Sequence, residues 1–133
     1  MDQEPQPTPT TDQPRKVLII EDEYFIGELY IRALKKAGYD VVLAVDGKDG
    51  LEKALSDEFD VILLDIMVPT ITGNDILDKL RQREPAIHGR VIITTNLEQS
   101  EETKKQLEEQ ADGYLIKAEI TPKQLVGFVD NIR

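Results

Sequence analysis

A chain of 133 residues is long enough for one domain with a proper hydrophobic core and too short for two of ordinary size. Its 26 acidic residues against 16 basic give a formal net charge of -10, which argues against a direct nucleic-acid partner, because phosphate backbones call for a clustered basic face. Without cysteine there is neither a disulfide framework nor a thiolate metal site. The longest purely apolar run, Val41 to Val45, is far below membrane-spanning length, and the N-terminus has no stretch of the signal-peptide kind, so a cytoplasmic protein with no membrane anchorage is expected.

Residues 1–14 hold four of the seven prolines, three acids and no large apolar residue after Met1. They cannot bury enough surface to offset ordering and are predicted to be a disordered tail ahead of a single domain over 15–133. From Lys16 onward short β-branched runs alternate with helix-period segments, the pattern of βα repeats closing a parallel sheet. The first strand is Val17 to Ile20. A helical stripe of Phe25, Ile26, Leu29, Ala33 and Leu34 follows and ends at Gly38, a suitable left-handed stop. Val41 to Val45 is the second strand, and Leu51, Ala54 and Leu55 mark the second helix. The third strand, Val61 to Leu64, precedes a helix marked by Ile76, Leu77 and Leu80. The fourth is Val91 to Ile93.

The fourth helix, roughly Ser100 to Gln110, has Leu107 as its only large apolar residue. Such a run is commonly just a solvated helix, but weak docking also suits an element that moves. Tyr114 to Ile116 is a fifth strand short enough for an edge. Leu125, Phe128, Val129 and Ile132 mark the last helix at i, i+3, i+4, i+7 spacing, opened by the capping pattern Thr121-Pro122-Lys123-Gln124. The continuous apolar runs suit strands covered on both faces.

In an open parallel sheet, functional groups gather beyond the carboxyl ends of the strands. Glu21 and Asp22 directly follow strand one and Asp65 follows strand three, so three carboxylates converge if those strands are neighbours. Like charges so close need a cation. With oxygen ligands only, a hard and partly hydrated ion such as Mg2+ is the suitable choice. Taken singly, an Asp after a strand is more often a helix cap or turn residue, Thr95 an ordinary strand end and Lys117 a surface lysine. The conjunction of three acids, a hydroxyl and an ammonium, each just beyond a different apolar strand on one edge, is what points to a site.

The runs VLIIEDE, VILLDIMVPTITG, VIITTN and GYLIKAEITP resemble the response-regulator receiver domains, the CheY-like superfamily, over residues 16 to 132. The resemblance implies an α/β, flavodoxin-like fold: a doubly wound five-stranded parallel sheet in the order 2-1-3-4-5 with five flanking helices. It implies that Asp65 is the phosphoacceptor. Mg2+ would be held by Asp22, Asp65 and the backbone carbonyl of Met67, with Glu21 acting through water. Thr95 would bind a phosphoryl oxygen, and Lys117 would bring a compact positive charge to Asp65 and then to the phosphoryl group. Pro69 and Gly73 match the loop after the phosphoacceptor strand. Tyr114, three residues before Lys117, stands where the family has a rotating aromatic that follows the threonine.

The donor would be a phosphohistidine on a sensor histidine kinase or a histidine phosphotransfer protein. The lone His88, in the loop before strand four, is expected to face solvent and is not that histidine. The chain would catalyse only its own phosphorylation and dephosphorylation. Its signal would leave through helix four, strand five and helix five toward a downstream protein, a surface that also allows phosphorylation-dependent dimerisation. No residues follow helix five for an output domain, so output by protein contact is expected, as in single-domain receivers.

Three positions depart from the family pattern. Ala118 replaces the proline after the lysine, and a cis Lys-Ala bond would cost roughly 2.5 to 4 kcal/mol, so the loop holding Lys117 is expected to differ. Asn96 replaces a small residue after the threonine, where it can narrow donor access or bind the phosphoryl group. Gln110 takes the place of a helix-ending glycine, at some backbone cost if left-handed. By the same resemblance Met67 and Leu97 would flank the approach of a hydrolytic water, and neither can orient one, so a long-lived phosphoryl group is expected unless the Asn96 amide holds that water. Two rivals compete with this reading. A phosphorylation-independent, receiver-like scaffold is disfavoured by the complete set of acids, threonine and lysine. An aspartyl-nucleophile hydrolase of the haloacid-dehalogenase kind would resemble Asp-x-Asp after the first strand, whereas Met67 stands two residues after Asp65.

Overall fold

The computed structural model describes residues 15–96 and 99–132; the expected tail at 1–14 and the expected role of Leu97 lie outside them. Five strands, β1 (Lys16–Ile20), β2 (Asp40–Ala44), β3 (Val61–Asp65), β4 (Arg90–Thr95) and β5 (Gly113–Ile116), alternate with α1 (Tyr24–Lys36), α2 (Gly47–Leu55), α3 (Gly73–Gln82), α4 (Glu101–Gln110) and α5 (Pro122–Asn131). A single 3-10 turn, Lys117–Glu119, joins β5 to α5. All pairings are parallel and the order is β2-β1-β3-β4-β5, as the resemblance implies. No helix among the described residues is long and apolar enough to cross a membrane.

The continuous apolar runs are explained by helices on both faces. Leu18, Ile20, Ile62, Leu64, Val91 and Ile93 point to one core with Leu51 and Ala54 of α2, Ile76, Leu77 and Leu80 of α3, and Leu107 of α4. Val17, Ile19, Val61, Leu63 and Ile92 point to the other, with Tyr30 and Leu34 of α1 and Leu125 and Val129 of α5. Alternation along each strand therefore feeds two cores, each buried Leu or Ile contributing roughly 1.5 to 3 kcal/mol. Helix α4 enters its core through Leu107 alone. Ser100 caps it, Thr121 and Gln124 form the full capping box of α5, and Gly38 takes the left-handed stop after α1 at φ 100.

Helix α1 keeps part of the expected stripe, Ile26 and Leu34, on the core but turns Phe25 and Leu29 away from it. Phe25 is 74% exposed and Leu29 is also exposed, while Gly27, Tyr30 and Leu34 are buried. A Cβ on Gly27 would lie 3.2 Å from Leu43 Cδ1, so the helix seats its glycine against β2, and that contact turns Phe25 and Leu29 outward. Helix α4 also ends without the left-handed residue that Gln110 raised. Its cap, Ala111, is extended, and Arg81 Nε donates to the Gln110 carbonyl at 2.7 Å.

At the amino edge of the sheet His88 is half exposed, yet it is bridged rather than simply solvated. Its Nδ1 lies 2.8 Å from Asp57 Oδ1, its Nε2 3.1 Å from Asp60 Oδ1, and its backbone N–H donates to Asp57 at 2.8 Å. Both ring nitrogens can donate only in the imidazolium. Burial alone would lower the His88 pKa, but the two carboxylates outweigh it and leave it raised. A raised folded-state pKa adds stability that is full below the unfolded value and is lost as pH rises through the folded one. The stability gap between wild type and His88→Gln is therefore expected to be greatest below about pH 6.5 and to shrink in alkali. Chemical denaturation across pH checks this, and a gap that grows with pH would contradict it.

Candidate functional site

The sheet order assembles the site. Ile20 pairs with Leu64 across β1 and β3, so Glu21 and Asp22 emerge beside Asp65, the last residue of β3. Thr95 ends β4 one step beyond the Asp65–Thr94 pair, and it pairs with Ile116, which puts Lys117 next. Glu21 is 1%, Asp65 4% and Lys117 6% exposed, and Thr95 is fully buried.

The Lys117 ammonium donates to Glu21 Oε1 at 2.5 Å and to Asp65 Oδ2 at 2.9 Å. The remaining oxygens are also engaged: Glu23 N–H donates to Glu21 Oε2 at 3.1 Å and Met67 N–H to Asp65 Oδ1 at 3.0 Å. Burial is the main force raising the Glu21 pKa; Lys117 opposes it and the Asp65 charge adds to it. For Lys117 burial pulls downward, but hydrogen bonds and charges from Glu21 and Asp65 prevail and leave it raised, so the amine stays an ammonium. Tyr30, buried on α1, lies in the same field; chiefly through burial its phenol is also raised and stays neutral.

Among the described residues one group has carboxylates close enough to share an ion, Glu21, Asp22 and Asp65, with oxygens within 4.8 Å of one another. Its donors are all oxygen, which fits a hard ion that keeps several waters. Asp22 is the exposed member. Glu21 and Asp65 each accept hydrogen bonds on both oxygens, so an ion here would share those oxygens or reach them through water.

The loop after β3 is held close to the site at both ends. Gly73 N–H donates to the Ile66 carbonyl at 2.9 Å, and a Cβ on Gly73 would fall 2.6 Å from the Asp65 carbonyl oxygen, so this position admits only glycine. Met67 projects outward at 61% exposure, and Asn96 is exposed too. Among the described residues the cis peptide bond is Glu84-Pro85. The Lys117-Ala118 bond is thus trans and the 3-10 turn accommodates alanine while Lys117 still reaches both acids. Tyr114 is half buried and packs on the core beneath α4, with Lys104 Nζ of α4 5.6 Å from its ring centroid. Two contributors carry no signal in the sequence: Lys104 reads as one more charge on a solvated helix, and Thr70 as an ordinary loop residue, although its φ of 73 is rare for a β-branched side chain.

Burial of ionised acids, and after it their crowding, makes the site a source of instability without a cation. A raised folded pKa for Glu21 means that stability falls as pH rises from the unfolded value of 4.5 through the folded one. In divalent-free buffer at neutral pH, Glu21→Gln is expected to melt above wild type, with the advantage vanishing in acid. Calorimetry decides it, and a variant that melts lower throughout would mean that pairing with Lys117 outweighs the crowding.

Residues 17–130 match the family described as Response regulator receiver domain. The chain is 39% identical over 102 residues to Response regulator ArlR of Staphylococcus saprophyticus, covering 77% of this chain and 45% of that protein. It is likewise 39% identical over 102 residues to Transcriptional regulatory protein CusR of Escherichia coli K12, covering 77% and 44%. The chain thus spans about half the length of the curated relatives it matches. Among solved structures, a CheY-like receiver domain protein from Methanospirillum hungatei superposes with a TM-score of 0.78 at 26% identity, over 89% of this chain and 92% of that one. Chemotaxis protein CheY4 of Vibrio cholerae gives 0.78 at 30% identity, over 90% and 99%. The strand order, the acids beyond β1 and β3 and these likenesses agree: the chain belongs to the response regulator receiver domain family of two-component signalling.

Proposed function

We propose that Asp65 accepts a phosphoryl group from a phosphohistidine of a sensor histidine kinase or histidine phosphotransfer protein, in a Mg2+-dependent reaction, and that the modification switches the α4-β5-α5 surface toward a downstream protein. The observation that carries this reading is the buried Lys117 ammonium 2.9 Å from Asp65 Oδ2, in a cluster of acids that can hold an ion. In the transfer a carboxylate oxygen of Asp65 forms the new P–O bond as the P–N bond to the donor imidazole breaks, the imidazole keeping the electron pair. Phosphoryl transfer is catalysed mainly by positioning and charge neutralisation, and bound Mg2+ would supply part of that neutralisation.

This chain's residues supply the rest. Asp22, Asp65 and the Met67 carbonyl are the proposed ligands, with Glu21 through water. Lys117 and the Met67 N–H hold the Asp65 carboxylate in one orientation, and Lys117 then faces the phosphoryl group. Thr95, buried at the end of β4, takes a phosphoryl oxygen, and Tyr114 follows it. The shallow anchoring of α4 through Leu107 supports it as the element that moves, and the same surface can pair two phosphorylated copies. Exposed Met67 cannot orient a water, which favours slow loss of the phosphoryl group.

A small phosphodonor with Mg2+ is expected to add one phosphoryl group to the peptide carrying Asp65, read by mass spectrometry, and Asp65→Asn is expected to abolish it. Labelling of Asp65→Asn to the wild-type extent would reject the assignment. Labelling of neither protein would favour the scaffold reading. The phosphorylated form is expected to decay faster in Met67→Asn than in wild type; unchanged decay removes Met67 from the account.

A further inference from the structure

The first turn of α2 is tied to the loop that follows the phosphoacceptor strand. A helix leaves its first four N–H groups without intrahelical partners; in α2 those of Gly47, Lys48 and Asp49 find partners outside the helical ladder, which begins at Gly50. Asp49 N–H donates to the Asp46 side chain at 2.9 Å, and Gly50 N–H to the Asp46 carbonyl at 3.0 Å. The other two leave the helix: Gly47 N–H donates to the Pro69 carbonyl at 2.8 Å, and Lys48 N–H to Thr70 Oγ1 at 3.0 Å. A Cβ on Gly47 would lie 2.1 Å from the Ile71 carbonyl oxygen, so backbone meets backbone there.

The loop is strained where it is gripped. Ile71 N–H donates to the Pro69 carbonyl at 3.0 Å, a three-residue turn centred on Thr70 at φ 73. A γ-turn with positive φ is the rare, strained form, and a β-branched residue is a costly occupant. The Thr70 hydroxyl donates to the Pro69 carbonyl at 2.6 Å while accepting from Lys48. Strain of this kind persists only where its surroundings over-determine it. Two residues upstream of Pro69 is Met67, whose N–H is on Asp65 and whose carbonyl is the proposed metal ligand.

We infer that the Asp46–Gly47–Lys48 turn, acting through Thr70, is a positioning element that fixes the Met67 carbonyl for Mg2+. The inference rests on the proposed role of Glu21, Asp22, Asp65 and Met67 as the metal site. Thr70 touches neither the ion nor the phosphoryl group; it acts by removing freedom from the loop between two anchors, Asp65 on one side and α2 on the other.

The test separates positioning from stability. Thr70→Gly removes the hydroxyl and relieves the positive φ, so it is expected to melt no lower than wild type. Yet its Mg2+ dissociation constant, measured by calorimetric titration with MgCl2, is expected to rise by about tenfold, the scale seen when outer-shell supports are removed. Thr70→Asn tolerates the left-handed conformation and keeps an acceptor for Lys48 N–H, and is expected to restore wild-type affinity. Asp22→Asn is the control for the site itself. If wild type binds Mg2+, Asp22→Asn weakens it and Thr70→Gly binds as wild type does, the positioning role is wrong while the metal site stands. If Asp22→Asn binds like wild type, or wild type binds no Mg2+, the metal site fails and this inference falls with it.

Discussion

One buried ammonium stands between two buried carboxylates, and the functional edge of the sheet is arranged around it. Lys117 sits 2.5 Å from Glu21 and 2.9 Å from Asp65; each acid is almost wholly withdrawn from water. Two unpaired carboxylates in such a place would be too costly to keep ionised. Parallel pairing of β1, β3 and β4 brings the acids together, and the edge position of β5 lets Lys117 approach them from the side. Two carboxylates already outnumber the one ammonium and Asp22 adds a third, which leaves a preference for a further cation.

The rest of the molecule divides into rigid and yielding parts about that point. The central strand β3 is buried along its whole length, and the glycines at 47 and 73 let α2 and α3 crowd the following loop until a Cβ would not fit. Opposite, α4 is held by Leu107, by Arg81 at its carboxyl end and by the Lys104 ammonium on the Tyr114 ring. A site needs stiffness where charge is positioned, and a switch needs an element whose displacement exposes little apolar surface.

The strands and the order of the acids were legible because parallel strands buried on both faces must be apolar throughout, so the polar residue that ends each run stands out. The buried face of α1 was legible only in part, through Ile26 and Leu34. Phe25 and Leu29 lie on one stripe and Ile26 and Tyr30 on another, and the structure buries the second, with Gly27 close against Leu43. The resemblance places Lys117 beside Asp65, but nothing in the residue pattern announces its second bond, to Glu21. The missing proline at 118 raised doubt about this loop, yet a 3-10 turn with a trans peptide serves. Thr70 could not be found at all, since left-handed backbone at a threonine leaves no trace in residue type.

The measurement closest to the central claim is the unfolding free energy of Lys117→Met at neutral pH in divalent-free buffer, repeated with saturating Mg2+. Removing one partner of a buried ionic cluster costs about 3 to 5 kcal/mol, so the variant is expected to lose a large part of its stability and to regain more on adding Mg2+ than wild type gains. A variant that unfolds at the wild-type midpoint without divalent ions, and responds to Mg2+ no more than wild type, would contradict the view that this ammonium organises the site.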